Sequence, residues 1–85
     1  MTVLTAHKVS WRREGYSRFL EPETWVLSDQ PRGGNVFAKA ERYVHGWLAW
    51  RTGESAKFWP DDEIEDVMAR LQRFVEKNPG ARPMN

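Results

Sequence analysis

Val36-Phe37-Ala38-Lys39-Ala40-Glu41-Arg42-Tyr43-Val44-His45-Gly46-Trp47-Leu48-Ala49-Trp50-Arg51 is the stretch on which the fold turns. At about 100° per residue, Val36, Phe37, Ala40, Tyr43, Val44, Trp47, Leu48 and Trp50 fill one arc of about 160°. Arg51 is the only charged residue in that arc. Asn35 is a good N-cap and Gly53 a plausible terminator, so the spacing predicts a helix over 36–51. Gly46 falls on its polar side, where glycine costs about 1 kcal/mol relative to alanine.

A second helix is predicted over 61–77, where Ile64, Val67, Met68, Leu71, Phe74 and Val75 repeat at helical spacing and cover about 120°. Pro60 suits a helix start, Trp59 is placed to staple onto Ile64, and Asn78-Pro79-Gly80 ends the pattern. Upstream, Val3, Val9 and Trp11 alternate on one face of a strand, Glu14-Gly15 reads as a turn, and 16–20 and 24–28 read as two more strands. The competing reading makes 22–28 a short helix. Residues 30–34 form a loop either way. The fold expected is α+β: a small antiparallel, about three-stranded N-terminal sheet packed with two amphipathic C-terminal helices. Residues 1–78 make one domain and 79–85 a flexible tail. Leu71, Phe74, Val44 and Phe37, at the centres of the two arcs, are the expected core.

Composition narrows the function. The chain has 85 residues, 40% hydrophobic and 29% charged, with five tryptophans and no cysteine. That suits one globular domain whose indoles build a core without disulfides. Tryptophan is also the residue most enriched at binding hot spots. The absence of cysteine removes a disulfide framework and a thiol nucleophile, and no apolar run approaches membrane-spanning length. The N-terminus lacks a signal-peptide pattern, so the expected compartment is the cytoplasm. Net charge is +1, split as +3 over 1–51 (eight basic against five acidic) and −2 over 52–85 (five against seven).

Three constellations stand out. Trp11, Arg12, Arg13, Tyr16 and Arg18, on an expected hairpin at 11–19, interleave cations with aromatics as single-strand nucleic-acid binders do. Asp61-Asp62-Glu63-Ile64-Glu65-Asp66 puts five carboxylates in six residues, with Asp62 and Asp66 stacked at i, i+4. The wide arc of the first helix leaves Val36, Tyr43 and Trp50 as an apolar surplus. Catalytic and metal-binding signals are poor: Glu41 and His45 pair at i, i+4 with no nucleophile or ligand set beside them. Arg32-Gly33-Gly34-Asn35 before a helix could hold an anion, but it lacks the lysine and spacing of a phosphate loop.

The sequence thus points to a small non-catalytic regulatory or inhibitory protein, of the kind common among bacterial or phage accessory proteins, without cofactor or metal. It would bind a larger protein, or a second copy, through Val36, Tyr43, Trp50, Asp62 and Asp66. The alternative is a nucleic-acid-binding module using Trp11, Arg12, Arg13, Tyr16 and Arg18.

Overall fold

The computed structural model describes residues 7–14 and 23–84. Five strands precede one helix: β1 (Ser10–Glu14), β2 (Thr24–Ser28), β3 (Val36–Tyr43), β4 (Gly46–Arg51), β5 (Lys57–Pro60) and α1 (Ile64–Lys77). The strands form one antiparallel meander in the order β1-β2-β3-β4-β5. This corrects the three-stranded sheet with two helices. The protein remains small α+β, but 36–51 supplies the two longest strands, and the one helix among the described residues is C-terminal. Strand 24–28 forms as read and the helical alternative for 22–28 does not. The strand expected over 16–20 lies outside the described residues.

Residues 36–51 are strands because a two-faced sheet accommodates what one helix stripe does not. Val36, Phe37, Tyr43, Val44, Trp47 and Trp50 are β-branched or aromatic, the types that favour a pleated surface. Folded back on itself, the segment pairs Ala38 with Arg51, Ala40 with Ala49 and Arg42 with Trp47, alternating with Lys39–Trp50, Glu41–Leu48 and Tyr43–Gly46. The connecting turn is only Val44-His45. Two-residue hairpin loops usually advertise themselves by Asn-Gly or Asp-Gly at positive φ. No described non-glycine residue has positive φ, so this turn carries no such signature. Val44, expected in the core, sits in the turn and is 86% exposed. Gly46 is required by close approach: a Cβ there would press on the Trp59 carbonyl oxygen and come within 2.6 Å of the Phe58 ring.

Near the start of β3 the alternation breaks. Ser28 pairs with Val36 while Leu27 pairs with Ala38, so Phe37 is the extra residue of a β-bulge. Phe37 and Ala38 are both buried, in a cluster with Val9, Leu27 and Val75. A second cluster joins Ala40, Trp47 and Ala49 to Ile64 and Val67 of α1, with Trp11, Trp25, Trp59, Met68 and Leu71 packed against it. Four of the five tryptophans therefore serve the helix-covered face, and the alanines between them leave room for the indoles. Trp11 Nε1 donates to the Met68 carbonyl at 3.0 Å and Gln72 Nε2 to the Val9 carbonyl at 2.9 Å, tying the N-terminal strand to α1.

The helix matches its sequence reading at its end but starts at Ile64 and not at 61, because 61–63 form a turn and Pro60 closes β5. Glu63 N donates to the Pro60 carbonyl at 3.0 Å at its start, and Trp59 and Ile64 meet in the same cluster. Glu65 and Asp66 occupy the first turn and Lys77 the last, each matched in sign to the helix dipole. Asn78 Nδ2 donates to the Phe74 carbonyl at 2.6 Å where the helix ends. Beyond it, Ala81 packs against the first cluster and Met84 N donates to the Val36 carbonyl at 2.7 Å.

Candidate interaction surface

Alternation along the strands assigns the side chains opposite the helix. Cross-strand pairing sets Arg12, Val26, Lys39 and Trp50 in one row, and Glu14, Thr24, Glu41, Leu48 and Phe58 in the next. Tyr43, Gly46 and Pro60 make a third row at the hairpin end. At the β1–β2 side Val26 is fully buried. At the β3–β5 side no helix or strand lies over the row among the described residues. There Tyr43 is 48% and Phe58 55% exposed, while Leu48 and Trp50 are half-buried. The Phe58 ring lies against Gly46, where the missing side chain leaves room for it. Tyr43 Oη donates to a Glu41 carboxylate oxygen at 3.4 Å. The Lys39 ammonium has no ion-pair partner among the described residues.

The residues predicted for protein contact are partly dispersed. Val36 is buried at one end of β3 and Tyr43 stands at the other, about 23 Å away at strand rise, so the helical edge joining them does not exist. Tyr43 and Trp50 do share the open face. Asp62 is exposed in the turn before α1, so it does not stack on Asp66 within a helix. Asp66 instead borders a shallow cleft with Trp59, Glu63, Arg70 and Arg73 on the helix side. Leu48 entered the sequence reading only as part of a helical arc, and Lys39, Glu41 and Phe58 were not singled out as contacts. The signal for Lys39, Glu41 and Leu48 is period-two alternation, hidden because 36–51 also satisfies a helical period. Phe58 lies in the short strand just before Pro60, which reads as a helix start.

The basic and aromatic set does not converge either. Trp11 is in the core. Arg12 points to the opposite face, where its guanidinium donates to the carbonyls of Pro31 at 3.3 Å and Gly33 at 3.0 Å. Arg13 is exposed on the helix-side face, paired across strands with Trp25. Tyr16 and Arg18 lie outside the described residues. Three further arginines are engaged around the helix-covered core: Arg42 stands 5.4 Å from the Trp47 ring, Arg51 3.6 Å from Phe74 and Arg70 5.4 Å from Trp59. Arg42 also pairs with Asp61 at 3.7 Å and Arg51 with Glu54 at 2.8 Å.

Residues 29–35 form the β2–β3 loop, closed on itself. The Asp29 carboxylate accepts from Asn35 N at 2.9 Å and Asn35 Nδ2 at 3.0 Å, and Ser28 Oγ donates to the Gly33 carbonyl at 3.1 Å. A strand follows in place of a helix, and the Asn35 N–H that an anion would use is already satisfied. Gly33 and Gly34 adopt φ of 61° and 72°, where glycine is favoured. His45 is exposed in the hairpin turn, so its helical pairing with Glu41 is lost, and the His7 ring packs 4.7 Å from that of Phe37. Among the described residues no group of three or more His, Cys, Asp or Glu is placed to hold a metal ion, and no helix is long and apolar enough to cross a membrane. Comparison with protein-family models, with curated proteins and with solved structures gives no match.

Proposed function

We propose that the protein is a small non-catalytic binding module that docks on another protein through the open β3–β4–β5 face, acting in the cytoplasm as a regulatory or inhibitory factor. One observation carries this reading: Tyr43, Leu48, Trp50 and Phe58 share a sheet face that no described helix or strand covers. Aromatics with an aliphatic neighbour supply contact area at low entropic cost, and a polar fringe around them is the usual anatomy of an interface. The charges on this patch, Lys39 and Glu41, balance. A phosphate-binding surface needs a cationic excess, whereas Arg12, Arg42, Arg51 and Arg70 are committed to carbonyls, carboxylates or rings.

The test is affinity capture from nuclease-treated cytoplasmic extract, comparing the native protein with a Tyr43→Ala, Phe58→Ala variant of unchanged circular dichroism. Proteins retained by the native chain and lost from the variant support the reading. Identical capture by both would remove the open face from consideration. Capture from untreated extract that vanishes on nuclease treatment would favour the nucleic-acid alternative at residues 11–19.

A further inference from the structure

The open face is self-complementary, and this goes further than naming it a docking surface. Lys39 and Glu41 stand two residues apart on β3, on the same side of the sheet. Lys39 faces Trp50 across β4, and Glu41 faces Leu48. The patch therefore has two adjacent rows, one cationic with an indole and one anionic with an aliphatic chain, about 7 Å apart at strand rise. A two-fold axis crossing the strands between these rows, parallel to the sheet, exchanges them. Each Lys39 then meets the second copy's Glu41, and each Trp50 meets the second copy's Leu48. Isologous contact demands this kind of pairing, because every residue must suit the one that symmetry sets opposite it.

Building on the proposed docking role of this face, we infer that its occupant is a second copy of this chain, bound about that axis. The two sheets stack about 10 Å apart with strands nearly aligned, as in β-sandwiches. Tyr43 and Phe58, the most exposed aromatics of the patch, fall at the rim, where partial exposure persists after pairing. Three short strands give a footprint smaller than the roughly 800 Å² per partner of a standard interface. The dimer is accordingly weak, forming in the micromolar range and above.

Charge reversal tests the axis, by sedimentation velocity of the full chain across the micromolar range. The native protein should show a concentration-dependent monomer–dimer equilibrium. Lys39→Glu alone sets like charges opposite each other and should raise the dissociation constant about tenfold or more, as should Glu41→Lys alone. The double exchange, Lys39→Glu with Glu41→Lys, rebuilds both cross-copy pairs and should return the constant to within about threefold of native. Thermal melts of each variant in dilute, monomeric solution separate folding defects from association.

A native protein that stays monomeric to several hundred micromolar overturns the second copy as occupant, while leaving the face free for a different protein. A dimer indifferent to both single reversals, and also to Tyr43→Ala with Phe58→Ala, overturns this inference, because the copies then meet on another surface. The docking role of the face is then decided by the capture experiment. A dimer weakened by the single reversals but not restored by the double exchange overturns the axis.

Discussion

The helix-covered face and the open face are made of alternate residues of the same strands, yet they solve opposite problems. Under α1 the sheet presents Trp11, Trp25, Leu27, Ala38, Ala40, Trp47, Ala49 and Trp59, large rings around small alanines, which the helix fills with Ile64, Val67, Leu71 and Val75. On the other side the two central rows set apolar residues beside charges, Trp50 by Lys39 and Leu48 by Glu41. A core excludes charge because burying it unpaired is costly. A contact surface keeps charge because it must also survive in water. The covered side carries charges too, Arg13, Arg42, Arg51 and Lys57, but at strand ends and sheet edges, with Arg42 and Arg51 held by carboxylates and rings. The helix thus lies over the side whose apolar residues are contiguous. Tryptophan serves both faces, and its neighbours decide its role.

The largest expected effect tests the covered face. Phe37 is 1% exposed and is the bulged residue that lets two consecutive side chains enter the core. Phe37→Ala should cost about 3–5 kcal/mol, a large share of the stability of so small a domain. Leu71 packs against both clusters but is only half-buried, so Leu71→Ala should cost about 2–3 kcal/mol. Denaturant unfolding measures both. A loss below about 1 kcal/mol at either position would mean that α1 does not seal the sheet as described.

Gly46 lies where the two faces meet, and its effect should be intermediate. An added methyl would strike the Phe58 ring, which can swing outward, and the Trp59 carbonyl oxygen, which is fixed in the strand. Gly46→Ala should therefore loosen the β4–β5 pairing and cost about 1–3 kcal/mol, the usual range for overpacking. Gly33→Ala has open space around it and meets only the strain of positive φ, about 1 kcal/mol. If thermal melts ranked Gly33→Ala above Gly46→Ala, backbone conformation and not close approach would govern the glycines of this sheet.

The two apolar stretches show what the sequence makes legible. Residues 64–77 pack one stripe against one surface, so a single period survives, and the helix was readable together with the Trp59–Ile64 contact and its stop at Asn78. Residues 36–51 were not, for three physical reasons. Ala38, Lys39, Ala40, Glu41 and Arg42 are ordinary helix formers whose strand conformation is imposed by tertiary pairing. The Phe37 bulge buries Val36, Phe37 and Ala38 in succession and erases the alternation where it would be clearest. Finally, Val44-His45 turns without glycine or asparagine. Of the residues proposed for contact, Tyr43 and Trp50 stand out in the sequence through the width of a helical arc that does not form, and they share a face because of strand alternation. Phe58 was hidden because Pro60, two residues on, reads as a helix start.

The smallest effect on folding is expected on the open face, and it carries the comparison furthest. Tyr43 is 48% exposed, and its hydroxyl reaches only a Glu41 carboxylate at 3.4 Å, a long and solvent-screened contact. Tyr43→Ala should change stability by less than about 0.5 kcal/mol, as expected for a surface position. Phe58→Ala removes a ring lying over Gly46 and should cost somewhat more, about 1 kcal/mol or less. If the face is an interface, both changes should weaken association while leaving the melting temperature of dilute protein within a few degrees of native. A result in the other direction is equally informative. Were Tyr43→Ala to destabilise the isolated domain by 2 kcal/mol or so, a loss diagnostic of burial, its ring would belong to a core, and the open face would be covered from within the chain.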